Sequence, residues 1–349
     1  MAWRAYACAF GVALVLSLLL TPLGAWLGTR LGIVARPGGR RRHQGLVSRL
    51  GGIGLYIPFL AAVLTLQVLP PSWLPPSLDP KEMTRLVGLV LGSTVAFLFG
   101  LADDRYEFPA WPQYLAQFLC ACIAIATLIF IERVMNPFTD RLVVFPWALT
   151  AALTVFWVMG MMNTVNFLDG LDGLAAGVGA IVSAILTLHM AREGQWSVAL
   201  LPLALLGATA GFLPYNFHPA RVFMGSNGAY FLGFALAALG IIAGARMATM
   251  LLMLLVPILD VAWLIWQRWR AGLSPGTADR RHLHFRLLDL GFSQRQIVVG
   301  YWLLCGAFGL FALGVSSRLY KFLALVGLGL VTLLVLWWVG RQAPPPSEE

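Results

Sequence analysis

Two aspartates stand side by side in GLADDRYE, Asp103 and Asp104. Adjacent carboxylates repel, which favours a bound cation or a proton retained on one of them. Mg²⁺ suits such a place, because it takes few carboxylates, keeps its waters and binds phosphate oxygens. The plainer alternative is a solvated helix end with Arg105 as a weak partner. In NTVNFLDGLDG, Asn163, Asn166, Asp169 and Asp172 recur every third residue, so on a helix or tight turn they point roughly one way. A polar stripe at the end of an apolar segment is costly without partners, although a pair of helix caps, with Asp172 starting the next helix, would account for one or two of the acids.

Further on, ADRRHLHFRLLDL packs Arg280, Arg281, His282, His284 and Arg286 into seven positions. Histidines two apart do not share a helical face, so a loop or helix start is expected there rather than a helical zinc pair. Arginine forks and imidazoles suit phosphate and sugar; a basic loop lying on anionic lipid is the alternative. ARPGGRRRHQGLVSRLGGIG offers His43 and Arg49 ahead of a glycine pair, and an orienting basic loop would also explain it. In VFMGSNGAYFLG, Gly225, Ser226, Asn227 and Gly228 open an apolar run with no acid nearby, so the stretch reads as a helix start whose free N–H groups can receive a phosphate.

The elements that must position these residues are membrane helices. Of 349 residues, 59% are hydrophobic and 11% charged, and the mean hydropathy is +0.81. Roughly 20 apolar residues cross about 30 Å of hydrocarbon. Eleven such runs are legible, near 5–27, 51–70, 86–102, 111–131, 144–162, 174–191, 198–214, 228–245, 247–267, 297–316 and 322–339. Asp260 is the one charge inside them and therefore a functional candidate, whereas His189 reads as a packing residue. The four cysteines lie within runs and read as small apolar fillers. The expected fold is an all-α polytopic membrane protein of about eleven transmembrane helices, one integral domain over 1–340 with a short polar tail at 341–349.

The formal charge of +9 is spread over interhelical loops, which argues for membrane topology and against nucleic acid. With the N-terminus outside, 15 of the 24 Lys and Arg residues fall on cytoplasmic segments, so N-out/C-in is expected. That orientation puts every polar motif except Asp260 at the cytosolic face. The connectors on the other face, PPSWLPPSLDPKEMTR and ERVMNPFTDR, carry no evident chemistry.

Taken in order, RRHQGLVSRLGG, LADDRYE, NTVNFLDGLDGLAAG, NFHPARVFMGSNG and RRHLHFRLLDLG resemble the polyprenyl-phosphate N-acetylhexosamine-1-phosphate transferases over about residues 36–290. HLHFRL looks like the branch acting on undecaprenyl phosphate and UDP-N-acetylglucosamine. The resemblance implies that a lipid phosphate attacks the β-phosphorus of a UDP-N-acetylhexosamine, giving lipid-diphosphate-sugar and UMP, the first membrane step of a cell-surface glycan in the bacterial inner membrane. It further implies Mg²⁺, with Mn²⁺ as a substitute, and admits a homodimer. By the same resemblance Asp103, Asp104 and Asp172 are catalytic and, with Ser226, metal-binding. Asn166, Asp169, Asn216, Asn227, His282, His284, Arg286, His43 and Arg49 bind substrate.

One departure stands out. The family pattern has a metal-binding aspartate after methionine-glycine, where this chain has Ser226. A hydroxyl can ligate Mg²⁺ but brings no charge. Three readings follow: a substituted or engineered transferase of low activity, a natural variant relying on the other acids, or a fold that binds UDP-sugar or lipid without turnover. A secondary transporter fits less well, since its polar residues would sit at mid-span within a repeated architecture.

Overall fold

The computed structural model describes residues 3–35, 45–77, 79–244, 247–270, 272 and 281–342. Its helices are α1 (Trp3–Leu31), α2 (Ile53–Val68), α3 (Glu82–Tyr106), α4 (Ala110–Ala126), α5 (Trp147–Leu168), α6 (Leu174–Arg192), α7 (Leu200–Asn216), α8 (Gly225–Ile242), α9 (Met247–Met253), α10 (Leu255–Arg270), α11 (Leu283–Asp289), α12 (Gln294–Gly314) and α13 (Arg318–Gln342). Ten of the eleven apolar runs each overlap a single helix. Seven of these helices are long and apolar enough to cross a membrane. Three others, α2, α4 and α7, are apolar but only 16, 17 and 17 residues long.

The run at 247–267 is not one continuous helix. It is split between α9 and α10, which are bent by 77°. Pro257, early in α10, lacks the N–H that would bond the last carbonyls of α9, so the ladder breaks there. The structure also departs from pure helix in two short antiparallel hairpins, β1 (Val34–Ala35) with β2 (Val47–Ser48), and β3 (Arg133–Met135) with β4 (Leu142–Val144). The second folds within the ERVMNPFTDR connector.

Helix α8 is the axis of the molecule. Every one of its residues is buried, and α3, α5, α6 and α2 pack around it, as expected for a helix apolar on all sides. Tyr56 and Phe59 of α2 pack on Phe231, and Phe97 of α3 stacks on Tyr56. Around this centre, α1 packs on α7 and α2, and α6 on α7.

Chain direction defines two ends. At one lie the start of α8, the ends of α3, α5 and α7, and the starts of α6 and α12. The end of α8, the β3–β4 hairpin, the α6–α7 connection and the start of α13 lie at the other.

Candidate functional site

The first polar junction forms where the α3 terminus meets the α8 start. Residues 48–52 run alongside 222–224: Phe223 N–H donates to the Ser48 carbonyl at 2.9 Å, and Gly51 and Gly52 N–H donate to the Phe223 and Met224 carbonyls at 3.0 and 3.1 Å. This brings Arg49 beside Asp104. The Asp104 carboxylate, fully buried as a side chain, receives the Ser226 N–H on Oδ1 at 3.0 Å and the Asn227 N–H on Oδ2 at 2.9 Å. The Asn227 side-chain amide also donates to Oδ2 and, at 2.8 Å, to the Arg49 carbonyl. Arg49 Nε lies 3.1 Å from Oδ1, near enough to pair but not aligned as a hydrogen bond, while its Nη1 reaches Glu107 at 2.8 Å.

One expectation changes here. The helix starts where expected, at Gly225, with Met224 as its N-cap residue and no side-chain cap bond. Its Ser226 and Asn227 N–H groups, however, are not free for phosphate, since Asp104 from another helix already occupies them. A carboxylate at a helix N-terminus satisfies orphan donors and the dipole together. The geometry demands glycines at two points. Gly225 adopts φ of +71°, and a Cβ there would lie 2.0 Å from the Arg49 carbonyl oxygen. At Gly100, where α3 crosses α8, a Cβ would lie 2.5 Å from the Asn227 Cα.

Asp103 faces elsewhere. Its Oδ1 accepts from the Phe108 N–H and from Gln113 Nε2, both at 3.2 Å, and Oδ2 makes no hydrogen bond among the described residues. The two neighbouring carboxylates are therefore separated by distinct partners. Near 550 Å³ of open polar space adjoins Arg49, Asp104 and Glu107.

The polar stripe in NTVNFLDGLDG is divided among several tasks. Asn163 pairs with Gln117, its Nδ2 donating to Oε1 at 2.6 Å, which ties α5 to α4. Asn166 lies on the last turn of α5, and Asp169 is that helix's C-cap residue. Asp172 does not cap α6, whose N-cap residue is Gly173 at φ of +81° with no side-chain cap bond. Instead Asp172 Oδ2 accepts from the Ala220 N–H at 3.1 Å and lies 2.8 Å from His218 Nδ1. An ionised carboxylate only accepts, so that ring nitrogen carries the proton. Asn216 locks the same strap, accepting from Gly173 N–H at 3.1 Å and donating to the Val222 carbonyl at 3.0 Å. Arg295, in the first turn of an α12 capped by Ser293 and Gln296, donates to the His218 carbonyl at 3.1 and 3.3 Å.

Asp260, the lone charge of the apolar runs, repeats the Asp104 arrangement. Its Oδ1 accepts the Leu283 N–H at 2.8 Å and its Oδ2 lies 2.9 Å from His282 Nδ1, so an acid from α10 starts α11 and orients the imidazole. His282 is the N-cap residue of α11, consistent with the expected helix start, and its ring stacks on His284 at 5.4 Å and 9°. Phe167 covers it at 5.2 Å. A Cβ on Gly170 would lie 2.5 Å from His284 Nε2, so LDGLDG and HLHF are in contact. Arg286 Nε donates to the Arg281 carbonyl at 2.8 Å. His43 lies outside the described residues, as does Arg280.

Sequence reasoning missed His218, Gln113 and Arg295. A histidine two residues after Asn216 and before Pro219, in an interhelical turn, was an available signal for the first; Gln113 and Arg295 look like ordinary helix-start residues and gave none. Buried His189 sits in α6, away from these groups in the chain order of the bundle.

As to a metal, among the described residues no three His, Cys, Asp or Glu side chains converge as a ready cluster. The remaining donors still suit Mg²⁺, which uses one or two carboxylates and completes its shell with water and substrate phosphate. Asp103 Oδ2, Asp172 Oδ1 and the Ser226 hydroxyl accept no hydrogen bond among the described residues. They are hard oxygen donors, of the kind Mg²⁺ takes, at one end of the bundle.

A family model described as glycosyl transferase family 4 matches residues 86–244. The chain is 29% identical over 315 residues to a probable undecaprenyl-phosphate N-acetylglucosaminyl 1-phosphate transferase of Bacillus subtilis, covering 88% of this chain and 84% of that one. It is 30% identical over 355 residues to a decaprenyl-phosphate N-acetylglucosaminephosphotransferase of Mycolicibacterium smegmatis, covering 93% and 86%. With a phospho-N-acetylmuramoyl-pentapeptide-transferase of Geobacillus kaustophilus it shares 29% over 321 residues, covering 86% and 94%. The motifs that meet at one end of this bundle and the length of these matches agree: the chain belongs to the polyprenyl-phosphate N-acetylhexosamine-1-phosphate transferase family of multi-pass membrane proteins.

Proposed function

We propose that this protein transfers N-acetylglucosamine-1-phosphate from UDP-N-acetylglucosamine to undecaprenyl phosphate, at the cytoplasmic face of a bacterial inner membrane with the N-terminus outside. The observation that supports it most is the continuity of one polar end: Arg49 touches Asp104, Asp104 holds α8, residues 216–224 join α8 to Asp172, and Gly170 abuts His284.

In the proposed reaction an oxygen of the lipid phosphate forms a bond to the β-phosphorus, the bond between β-phosphorus and bridging oxygen breaks, and UMP leaves with that electron pair. Such displacement depends on positioning and charge stabilisation. Asp103, with a free Oδ2, is the group assigned to take any proton remaining on the lipid phosphate. Asp104 has a different part. Three hydrogen bonds and the Arg49 guanidinium already engage its two oxygens, so its role is to position Arg49 and the start of α8. Asn166, Asp169, Asp172 and Asn216 form the nucleotide wall; His282, His284 and Arg286, with Arg49 and His43, meet the diphosphate and sugar. Mg²⁺, when bound, would be held by Asp103, Asp172 and Ser226 and would neutralise the diphosphate.

Purified protein given undecaprenyl phosphate, radiolabelled UDP-N-acetylglucosamine and Mg²⁺ should yield labelled lipid and UMP; no product from either the native chain or Ser226→Asp would refute the assignment. Ser226 itself favours one second reading, a member that binds UDP-sugar without turning it over. Metal-dependent binding with no turnover, unchanged in Ser226→Asp, would select it.

Two side chains should act through others. His218→Ala removes the ring hydrogen bond to Asp172, and bonds to charged groups contribute about 1.5–3 kcal/mol. KM for the UDP-sugar should rise roughly tenfold or more with kcat nearly kept, and His218→Asn should recover part of the loss. Equal KM in both variants would show that His218 only lines the surface. Asp260→Asn keeps an oxygen for Leu283 N–H but presents an NH₂ to His282, reversing the ring's tautomer. Its kcat should fall roughly 10- to 100-fold, the usual loss when a partner behind a working group is altered. Unchanged kcat would leave Asp260 a helix cap alone.

A further inference from the structure

Arg49 holds two carboxylates that are not kept with equal firmness. Its Nε lies 3.1 Å from Asp104 Oδ1, on a buried side chain that the Ser226 and Asn227 N–H groups also fix. Its Nη1 donates to Glu107 Oε1 at 2.8 Å, but the Glu107 side chain is 77% exposed and makes no other hydrogen bond or ion pair among the described residues. Exposed pairs contribute little, whereas breaking a buried one is costly, so Glu107 can swing away while Asp104 stays on Arg49. The backbone beneath Glu107 is strained as well. As the C-cap residue of α3 it adopts φ of +50°, the left-handed conformation that glycine usually fills at a helix end. A side chain held there costs free energy, and such residues cluster where a site needs the group they carry.

The pair borders the open polar cavity of about 550 Å³, which is lined by Arg49, Asp104, Arg105, Glu107 and the backbone stretch 32–35. With Glu107 turned outward, the Arg49 fork would open on this space beside the exposed Arg105. Guanidinium forks suit the oxygens of a diphosphate. We infer that Glu107 is a displaceable placeholder for the diphosphate of the nucleotide donor: it occupies the Arg49 fork until that diphosphate takes the fork over. The inference rests on the proposed reading in which Arg49 meets the diphosphate. It makes Glu107 a competitor of the ligand, so its removal tightens binding, whereas losing a merely structural partner of Arg49 would loosen it.

Isothermal titration calorimetry of the full chain with UDP and Mg²⁺ tests this without turnover. Glu107→Gln should bind UDP about two- to fivefold more tightly than the native chain, the factor that corresponds to breaking one exposed ion pair. Glu107→Asp keeps the charge but is one methylene short of Arg49, and should tighten binding as well. Unchanged or weaker binding in Glu107→Gln would overturn the inference, as would native affinity in Glu107→Asp, since only a diffuse repulsion would then remain. The transfer reaction is judged separately, by labelled lipid from UDP-N-acetylglucosamine. Product from the native chain with no tightening in Glu107→Gln removes the placeholder alone; tightening without product keeps the placeholder and removes the reaction. A native chain that binds no UDP would overturn both.

Discussion

Ser226→Asp is expected to raise Mg²⁺-dependent turnover by at least about tenfold, the lower end of what a single altered contact at a metal site usually costs. Residue 226 is the second of α8, at its N-terminus, with its N–H fixed on Asp104, so the backbone that presents the side chain is rigid. Its hydroxyl has no competing partner among the described residues. The new carboxylate would gain from the helix dipole but would sit close to the ionised Asp104, and like charges at short range disfavour one another. The signs differ with metal. Without Mg²⁺ the variant should melt at a lower temperature than the native chain, and Mg²⁺ should stabilise it more, because a ligand that binds the folded form adds stability. Initial rates across a Mg²⁺ titration, with melting curves at the same concentrations, check both. A variant identical to the native chain in rate and Mg²⁺ requirement would remove residue 226 from the metal site.

Asp104→Ala should cost about 3–5 kcal/mol of stability, the range found when one partner of a buried charged arrangement is deleted. It strands the Ser226 and Asn227 N–H groups, the Asn227 amide and one contact of Arg49 at once. Asp104→Asn should be only partly milder, because its NH₂ would face donors. Activity should be lost with the fold, and amide hydrogen exchange at 225–228 should accelerate first. Asp103→Asn provides the contrast: it retains the oxygen that meets Phe108 N–H and Gln113, so melting should change little while turnover falls. A normal melting temperature in Asp104→Ala would show that α8 is held by its apolar packing alone.

Much of this architecture was legible in the chain. Hydropathy located the apolar stretches, because burying or embedding a helix requires a continuous apolar sequence whatever surrounds it, but not how many of them cross the membrane: seven helices are long and apolar enough, or eight with the bent pair as one span, against the eleven expected. It did not show that the 247–267 run bends, because composition is blind to a missing N–H until the ladder around Pro257 is built. The site motifs were found by residue type. Their partners were not, because Asp104 and Ser226, or Asp260 and His282, are separated by 122 and 22 positions, and no local spacing encodes such pairings.

What the sequence by itself determined is a polytopic membrane chain with acids, amides and histidines at helix ends, and a serine, Ser226, where the resemblance implies an acid. Only the tertiary structure decided how those groups are spent. Adjacent Asp103 and Asp104 look equivalent in sequence, yet one has an oxygen with no hydrogen bond among the described residues and the other anchors the start of α8. Asp260 looks like an isolated membrane charge but starts α11 and aims His282. The physical reason is common to both: a buried carboxylate must find donors, and which donors it finds depends on which helix ends the packing brings within 3 Å.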